Sequence, residues 1–285
     1  MKLEKRFPGK RVIITGAGSG LGRALALEFS GMKWKVAIAE INQASMRETA
    51  LMVSRAGGEP LEIECDVSSP KDLEKARSLL EKKWGGVDIL INNAGVVSAG
   101  WFERIPPEKW DWIININLKG VIYGCRAFIP LFKEQGSGHI LNIGSSAGIA
   151  SLPEFGGYNV TKAAVISVSE TLRSELASHN IGVSVACPTF FPTNLMNGAY
   201  TSDERQKMLA NKFFENSLTT ADKVARHMIK GIKKNRMYHI KQIDGKFIWF
   251  SKRYFPELYF KVLAFVYTRN LFASYLGVSR EELEA

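Results

Sequence analysis

Residues 15–22 read Thr-Gly-Ala-Gly-Ser-Gly-Leu-Gly and stand between an apolar run and a helical pattern. The run is Arg11–Thr15, which has the character of a strand, and the helical pattern extends over Leu21–Ser30. Glycines in such a turn let the backbone approach a phosphate, and the N-terminus of the next helix supplies free N–H groups. The spacing is T-G-x-x-x-G-x-G, because leucine at position 21 breaks G-x-G-x-x-G. The stretch predicts a phosphate-binding turn, although an ordinary tight turn would also suit a glycine cluster.

Short apolar runs alternate with longer helical patterns on both sides of this turn. The predicted strands are Arg11–Thr15, Trp34–Glu40, Leu61–Asp66, Val87–Ile91, His139–Gly144 and Gly182–Cys187. The predicted helices are Leu21–Ser30, Ala44–Ala56, Lys71–Trp84, Trp110–Phe132 and Tyr158–Ser178. The strands are rich in valine and isoleucine, as is typical of parallel strands that helices cover on two sides. The alternation predicts an α/β fold with a doubly wound, Rossmann-like parallel sheet flanked by helices.

The pattern changes after the sixth predicted strand. Residues 193–219 are polar and interrupted, which predicts a loop insertion over a substrate site. Thr220–Asn235 has a helical pattern, with Thr219 or Thr220 as its N-cap. Met237–Gln242 is predicted as a last strand.

The C-terminal part of the chain is basic and aromatic. The formal net charge is +10, and residues 223–253 alone hold ten Lys and Arg against one acid. The aromatic residues that follow residue 242 are Phe247, Trp249, Phe250, Tyr254, Phe255, Tyr259, Phe260, Phe265, Tyr267, Phe272 and Tyr275. We therefore predict one domain over residues 1–242 and an aromatic, basic extension over residues 243–285.

Three kinds of partner remain open for the region 223–276. Its longest uncharged apolar run, Val262–Thr268, has seven residues, whereas a bilayer-spanning helix needs about 20. Aromatic rings mixed with cations favour a segment that lies on an anionic membrane surface. Packing on the chain's own domain or on a second subunit is an equally serious interpretation, and an acidic carrier protein is a third. Nucleic acid is not expected, because no known binding fold accompanies the cations.

Five motifs together resemble the single-domain short-chain dehydrogenase/reductase family. They are Thr15–Gly22, Asn92-Asn93-Ala94-Gly95, Asn117, Ser145 and Tyr158-x-x-x-Lys162, and the resemblance covers roughly residues 8–195 with a weaker continuation to about 242. It implies an oxidoreductase that acts on CH–OH groups with a nicotinamide dinucleotide, and a homo-oligomer. One departure is Pro188-Thr189, where the family usually carries Pro-Gly. The loss of that glycine concerns the local backbone path.

Tyr158 and Lys162 are four positions apart, so both lie on one face of a helix. An ammonium close to a phenol favours the phenolate, which would bring the pKa of Tyr158 from about 10 towards the range of a general acid or base. The resemblance implies that Ser145 bonds the substrate oxygen; Ser146 competes for this role, but the offset from Tyr158 favours Ser145. It also implies that Asn117 holds a water near Lys162 through its backbone.

The resemblance also implies which residues contact the cofactor. These are Gly16, Ser19, Gly20, Leu21, Gly22, Glu40, Asp66, Val67, Asn93, Ala94, Gly95, Tyr158, Lys162, Pro188, Phe191 and Thr193. Glu40 ends the second predicted strand, where a carboxylate can accept hydrogen bonds from an adenosine ribose diol. Because the same carboxylate would repel a 2′-phosphate, we predict a preference for NAD over NADP.

The expected substrate loops are apolar. Beside Ser145, the predicted substrate contacts are Phe155, Phe190, Leu195 and Met196, with Leu152, Pro153, Phe191 and Tyr200 nearby. No Lys or Arg stands among these loop residues to bind a small carboxylate. The composition predicts a lipophilic alcohol or ketone of steroid, retinoid or long-chain type. The alternatives are an NADPH-dependent reductase of carrier-bound 3-oxoacyl groups and a non-catalytic cofactor-binding scaffold.

Cysteine usage and the N-terminus bear on the compartment. The three cysteines, Cys65, Cys125 and Cys187, are scattered, which is typical of reduced thiols in the cytoplasm. No Cys/His cluster suggests a metal site. The first ten residues lack the apolar stretch of a signal peptide, so we expect a cytoplasmic protein that can associate with the membrane periphery.

Overall fold

The computed structural model describes residues 3–215, 217 and 219–271. The strands in these residues are β1 (Arg11–Thr15), β2 (Lys35–Glu40), β3 (Glu59–Glu64), β4 (Ile89–Asn92), β5 (Ser98–Ala99), β6 (Gly138–Ile143), β7 (Ile181–Ala186), β8 (Tyr200–Thr201) and β9 (Tyr238–His239). Seven of them form one parallel sheet in the order β3-β2-β1-β4-β6-β7-β9, and β5 pairs with β8. The winding reverses between β1 and β4, so a crevice opens at the carboxyl ends of these strands.

Helices cover both faces of the large sheet. They are α1 (Leu3–Arg6), α2 (Gly20–Ser30), α3 (Gln43–Arg55), α4 (Pro70–Trp84), α5 (Pro107–Ile114), α6 (Gly120–Gln135), α7 (Ala147–Ala150), α8 (Gly156–Glu175), α9 (Glu204–Glu215), α10 (Ala221–Lys233), α11 (Ile243–Tyr254) and α12 (Pro256–Thr268). α2, α3 and α10 pack on one face, and α4, α6 and α8 pack on the other. The architecture confirms the predicted doubly wound α/β fold.

Burial along the strands follows their position in the sheet. Every residue of β4, β6 and β7 is buried, because helices cover these central strands on both faces. β3 is half exposed because it lies at the edge of the sheet. An edge strand tolerates a proline such as Pro60, which has no N–H to donate to the sheet. β3 runs from Glu59 to Glu64, whereas the sequence predicts Leu61–Asp66, because pairing with β2 sets its bounds. The last predicted strand, Met237–Gln242, is reduced to the two residues of β9.

The prediction of one continuous helix over Trp110–Phe132 is wrong. The chain forms α5, then a π-helical turn at Asn115–Lys119, and then α6. The wider turn inserts one extra residue into the helix and places Asn117 against the loop that follows β4. A hydrophobic period near 3.6 continues through such a turn, so the pattern does not show the insertion.

The insertion and the extension contain more regular structure than their sequences indicate. Residues 193–219 include a 3₁₀ turn at Asn194–Gly198, β8 and α9. The extension forms α11 and α12, which pack against each other and against α7. The extension continues past the described residues, and the predictions for Phe272 and Tyr275 lie outside them. Within the described ranges, no helix has the length and apolar character that crossing a membrane requires.

Candidate active site

A cleft of about 490 Å³ lies at the carboxyl ends of the parallel strands. The predicted residues that line it are Gly16, Ser19, Gly20, Leu21, Glu40, Asp66, Val67, Asn93, Ala94, Gly95, Ser145, Phe155, Tyr158, Lys162, Pro188, Phe190, Phe191, Thr193, Leu195 and Met196. Gly22 and Asn117 are the two predicted site residues that do not reach its surface. One cleft therefore holds the glycine turn, the Tyr/Lys pair and the apolar loops.

The glycine turn is shaped by close contact with the loop after β4. Gly16 has a left-handed φ of 62°, and a Cβ there would lie 2.8 Å from the Cα of Ala94. Gly20 also has a positive φ, of 52°, but an added Cβ would meet only Thr193, at 3.6 Å. Gly22 lies behind the turn, since its Cβ would be 2.2 Å from the carbonyl oxygen of Gly16. Gly22 therefore allows close helix–strand packing, and Gly20 leaves the cleft open above the first turn of α2.

The two crossing loops are joined by hydrogen bonds. The Oγ1 of Thr15 accepts bonds from the backbone N–H groups of Asn93 and Ala94, at 3.0 and 3.1 Å. The Nδ2 of Asn93 donates to the carbonyl oxygens of Thr15 and Gly16, at 2.9 and 3.0 Å. Thr15 and Asn93 therefore fix the glycine turn against the end of β4. This arrangement leaves the first turn of α2 at the cleft, where a helix N-terminus favours a phosphate.

The carboxylate of Glu40 is held at the mouth of the cleft. Its Oε2 accepts a hydrogen bond from the N–H of Gly18 at 2.9 Å. Its Oε1 accepts from the N–H groups of Ile41 and Asn42, at 3.0 and 3.1 Å. These bonds orient the carboxylate, and its Oε2, which accepts only one of them, has a second lone pair for a ligand hydroxyl.

Asp66 and Val67 follow β3 and lie on the same side of the cleft. The Oδ1 of Asp66 accepts bonds from the N–H and the hydroxyl of Ser68, both at 2.8 Å. Because β3 already ends at Glu64, Asp66 sits in the loop and not, as predicted, at the end of the strand.

The predicted proton-transfer group lies at the start of α8 and just after the end of β6. Tyr158 and Lys162 are one turn apart, and the Nζ of Lys162 lies 5.6 Å from the centre of the Tyr158 ring. Lys162 donates a hydrogen bond to the carbonyl oxygen of Ile143 at 2.8 Å. The Oγ of Ser145 accepts from the N–H of Ala147 at 3.1 Å and is hydrogen-bonded to Tyr158. Ser145, Tyr158 and Lys162 thus come together as predicted.

The electrostatics of this group differ from the sequence-based expectation. Burial raises the pKa of Tyr158 to about 12, and the bond from Ser145 offsets only part of that rise. Burial also lowers the pKa of Lys162 to about 8. The expectation that the neighbouring ammonium makes the phenol acidic is therefore wrong, because burial outweighs it. Tyr158 holds its proton at neutral pH and faces the cleft as a proton donor.

Asn117 acts on the backbone around the site. Its Oδ1 accepts from the N–H of Val96, and its Nδ2 donates to the carbonyl oxygen of Val96, both at 2.8 Å. Its Nδ2 also donates to the Oγ1 of Thr161 at 3.3 Å. A Cβ on Gly95 would lie 3.1 Å from the Oδ1 of Asn117 and 3.4 Å from the Nζ of Lys162. The side chain therefore ties the loop after β4 to α8, next to the lysine.

An apolar wall packs against Tyr158. Val97 and Met196 are buried against each other, with Phe155, Tyr158 and Leu195 packed on them. Val97 belongs to the cleft although the sequence analysis did not single it out. The same is true of Ile41 and Ile116. These residues come from different loops and share no spacing, so only the fold shows that they meet.

Thr189 replaces the expected glycine without strain. Its φ is not in the left-handed region, so the backbone does not require glycine there. Its hydroxyl bonds the Oδ1 of Asp244 at 3.3 Å, and its N–H bonds the Oε1 of Gln242 at 3.4 Å. The threonine thereby fastens the first turn of α11 to the cleft.

Further bonds hold the extension to the loop between Ser145 and Tyr158. The Nζ of Lys252 donates to the carbonyl oxygen of Ile149 at 2.6 Å, and the hydroxyl of Tyr259 donates to that of Ala150 at 2.9 Å. The extension therefore packs through one face on the segment that precedes Tyr158.

Glu154 joins three segments of the chain, and the sequence analysis did not single it out. Its carboxylate accepts bonds from the Nη2 of Arg205, the Nε2 of Gln206 and the hydroxyl of Tyr267, each at 2.8 Å. Arg205 and Gln206 belong to α9, and Tyr267 belongs to α12. The side chain is nearly buried, with 8% of its surface exposed. One carboxylate thus links the insertion and the extension to the loop before Tyr158.

Residues 10–204 match the profile of the family described as short chain dehydrogenase. The chain belongs to the short chain dehydrogenase family. The "Probable oxidoreductase EphD" of Mycobacterium tuberculosis is 34% identical over 239 residues, which cover 81% of this chain and 40% of that protein. This short chain dehydrogenase therefore spans about 40% of the length of that relative. The profile match confirms the predicted family.

Solved structures of short chain dehydrogenases share the fold. One from Burkholderia phymatum in complex with NAD is 30% identical, has a TM-score of 0.77, and is matched over 80% of this chain and 87% of its own. One from Sphingobium yanoikuyae in complex with NADPH is 25% identical, with a TM-score of 0.70 and coverage of 81% and 87%. Neighbours of this dehydrogenase thus hold either dinucleotide.

Proposed function

We propose that this short chain dehydrogenase interconverts a lipophilic alcohol and its ketone or aldehyde, of steroid, retinoid or long-chain type, with NAD(H). The observation that carries the proposal is the Tyr158 phenol, bonded to Ser145 and one turn from Lys162, packed against an apolar wall in the same cleft as the glycine turn. A proton donor between an apolar surface and a dinucleotide site is the arrangement that carbonyl reduction requires.

The glycine turn and the loops around it fit a dinucleotide. Gly20 keeps the space above α2 free of a side chain, and α2 offers its N-terminus to a pyrophosphate. Glu40, Asp66 and Asn93 would hold the adenosine part, and Lys162 and Thr193 the nicotinamide end. When bound, the dinucleotide supplies the hydride donor or acceptor at nicotinamide C4, and its oxidised form adds a positive charge to the cleft.

The chain's own residues position the substrate oxygen and move one proton. The hydroxyl of Ser145 holds the carbonyl oxygen, and Tyr158 donates its proton to that oxygen as the carbonyl carbon gains a hydride. In the oxidative direction, the Tyr158 phenolate accepts the alcohol proton. With a pKa of about 12, Tyr158 is ready for the reductive step, and oxidation requires additional positive charge to lower that pKa. Lys162 supplies part of that charge below its own pKa of about 8.

Glu40 supports the preference for NAD over NADP. Its carboxylate is fixed by three backbone bonds, so it cannot swing away from an added 2′-phosphate without losing them. Two unit charges about 4 Å apart interact with roughly 4 kcal/mol at an effective dielectric near 20, and here that interaction is repulsive.

The walls of the cleft support a lipophilic substrate. The predicted substrate contacts Phe155, Phe190, Leu195 and Met196 are among the residues that line the cleft. Lys162 is the one cation among the described residues that line it, and it is already bonded to Ile143. A small carboxylate would have no second cation to bind, whereas an apolar ring or chain gains from burial on this wall.

We extend the proposal to the setting of the enzyme: a cytoplasmic homo-oligomer that works at the periphery of a membrane. All three cysteines are buried free thiols, which suits a reducing compartment. The exposed faces of α11 and α12 support the membrane part.

A substrate panel tests the proposal. Purified protein is assayed with steroid, retinoid and long-chain alcohols plus NAD or NADP, and with the matching carbonyls plus the reduced cofactors, at the NADH absorbance. We expect turnover of one lipophilic class with NAD(H) favoured. Preference for NADPH with carrier-bound 3-oxoacyl groups would favour the rival reductase. Cofactor binding without turnover of any member would favour a scaffold.

A further inference from the structure

Helix α11 carries an exposed apolar stripe. Ile243, Phe247, Phe250 and Tyr254 repeat at intervals of four, three and four residues, so they share one face. They are 83%, 70%, 50% and 59% exposed. Phe250 contacts the rings of Tyr254 and Phe255, with centres 4.6 and 6.4 Å apart, so the stripe continues into the junction with α12.

Helix α12 has a similar arrangement. One of its faces packs on the rest of the protein, and another face is apolar and exposed. From one face, the hydroxyl of Tyr259 donates to Ala150 and that of Tyr267 donates to Glu154. Leu258, Val262 and Phe265 lie at spacings of four and three on another face and are 60%, 52% and 54% exposed. Since the packing face is already occupied, the exposed stripe is available for a partner.

The stripes lie among cations. In residues 243–269, five Lys and Arg stand against two acids. Arg253 lies over the ring of Trp249 and Arg269 over that of Phe265, both at 5.3 Å. Lys246 and Lys261 are also exposed. The basic α10 precedes this surface in the chain and adds to the same sign of charge. A partner that fits this surface therefore offers apolar groups to the stripes and anionic groups to the surrounding cations.

A lipid surface meets this requirement better than a second copy of the chain. A two-fold contact between copies would bring the stripe against itself and place Lys246 and Arg253 near their own counterparts. An anionic bilayer offers negative headgroups to the cations and acyl chains to the rings. The helices contain 12 and 13 residues, which suits lying in the interface and is too short to span it.

We propose that α11 and α12 dock this protein on an anionic lipid surface through Ile243, Phe247, Phe250, Tyr254, Leu258, Val262 and Phe265. Their opposite faces hold residues 149–154, which lead into the cleft wall. The docked face would then keep the cleft close to the lipid phase, and this last point rests on the proposed function. The docking itself does not require any turnover.

Vesicle flotation of the full chain tests the docking. The probes are vesicles of phosphatidylcholine alone and of phosphatidylcholine mixed with phosphatidylglycerol, at low and high salt. We expect binding to the anionic vesicles that weakens with salt, because the cations contribute through screened attraction. Absence of binding to anionic vesicles would overturn the proposal, whatever the outcome of the substrate panel.

Matched variants locate the surface. Phe247→Ser should reduce vesicle binding several-fold, while Leu51→Ser, which changes a similarly exposed side chain on α3, should not. Lys246→Glu with Arg253→Glu should reduce it about tenfold or more, while Lys82→Glu with Lys83→Glu on α4 should have a smaller effect. Circular dichroism checks that each variant is folded.

Light scattering tests the alternative that a second copy of the chain covers the stripe. We expect the molar mass in solution to be the same for wild type and Phe247→Ser. A smaller assembly in Phe247→Ser would assign the stripe to a second copy and overturn lipid docking. Equal loss of vesicle binding in Phe247→Ser and Leu51→Ser would also overturn it.

Discussion

At the carboxyl end of β6, Ser145 lies with Tyr158 and Lys162 against an open cleft, whereas at the amino end of the same strand His139 is sealed in the core. Both ends bury ionisable groups, and burial displaces their pKa values in the direction of the neutral form. What differs is access. A ligand can reach the first cluster, while the second contacts only the protein.

The amino end of the sheet is closed by the N-terminal segment. The ring of His139 lies 6.3 Å from that of Phe7, and its Nε2 pairs with the Oγ of Ser184 at 2.9 Å. Nearby, Arg11 forms an ion pair with Asp88 at 3.0 Å. The comparison teaches that a displaced pKa marks a functional site only where a cleft and a chemical partner accompany it.

The largest of three graded effects is expected at the mouth of the cleft. Glu40→Gln removes the charge but keeps the shape of the side chain, so repulsion of a 2′-phosphate is lost. The ratio of kcat/KM with NAD to that with NADP should fall by about tenfold or more. Steady-state rates with both cofactors measure this, and an unchanged ratio would remove Glu40 from cofactor selection.

A smaller effect is expected at Glu154, where the insertion and the extension meet the loop before Tyr158. Glu154→Gln weakens the bonds from Arg205 and Tyr267, because a neutral acceptor replaces a charged one. As a positioning residue, it should raise the KM for a bulky substrate by several-fold and leave kcat and NADH binding nearly unchanged. Steady-state kinetics and NADH fluorescence titration separate these quantities.

The matched control for Glu154 is Glu81→Gln. Glu81 also pairs with an arginine, Arg77, but on α4 and away from the cleft. If both variants shift the KM equally, the contacts of Glu154 have no special place in substrate binding.

The smallest effect on turnover is expected at the amino end of the sheet. Burial lowers the pKa of His139 well below 6.5, so the unfolded chain binds more protons as the pH falls below that value. Its contribution to stability is complete above pH 6.5 and is lost on acidification, by about 2 kcal/mol at pH 5. His139→Gln should flatten this dependence of stability on pH and leave kcat unchanged. Urea unfolding at pH 5 and above pH 6.5 measures the dependence. A large loss of kcat in folded protein would erase the contrast between the two ends.

The sequence predicts the site well where one motif lies on one element. The turn at 15–22 and the pair Tyr158/Lys162 are such cases, since a βα turn and one helical turn fix their geometry locally. It predicts less well where distant segments meet. Glu154 belongs to no motif, and its partners lie about 50 and 110 residues away along the chain.

Two further differences have the same physical origin. The pKa of Tyr158 depends on how deeply the fold buries the phenol, which a spacing of four residues does not reveal. The extension is held by Thr189, where the resemblance leads one to expect glycine. A departure from a family pattern can thus mark the place where an added segment attaches.

The central claim is that Tyr158 transfers the substrate proton in a cleft that also holds the dinucleotide. Tyr158→Phe removes one hydroxyl and keeps the ring and its packing, so the fold should be kept. With the best substrate of the panel, we predict a fall in kcat of about 10²- to 10⁴-fold with unchanged NADH affinity. A Tyr158→Phe protein that turns over at a rate close to that of the wild type would contradict the account.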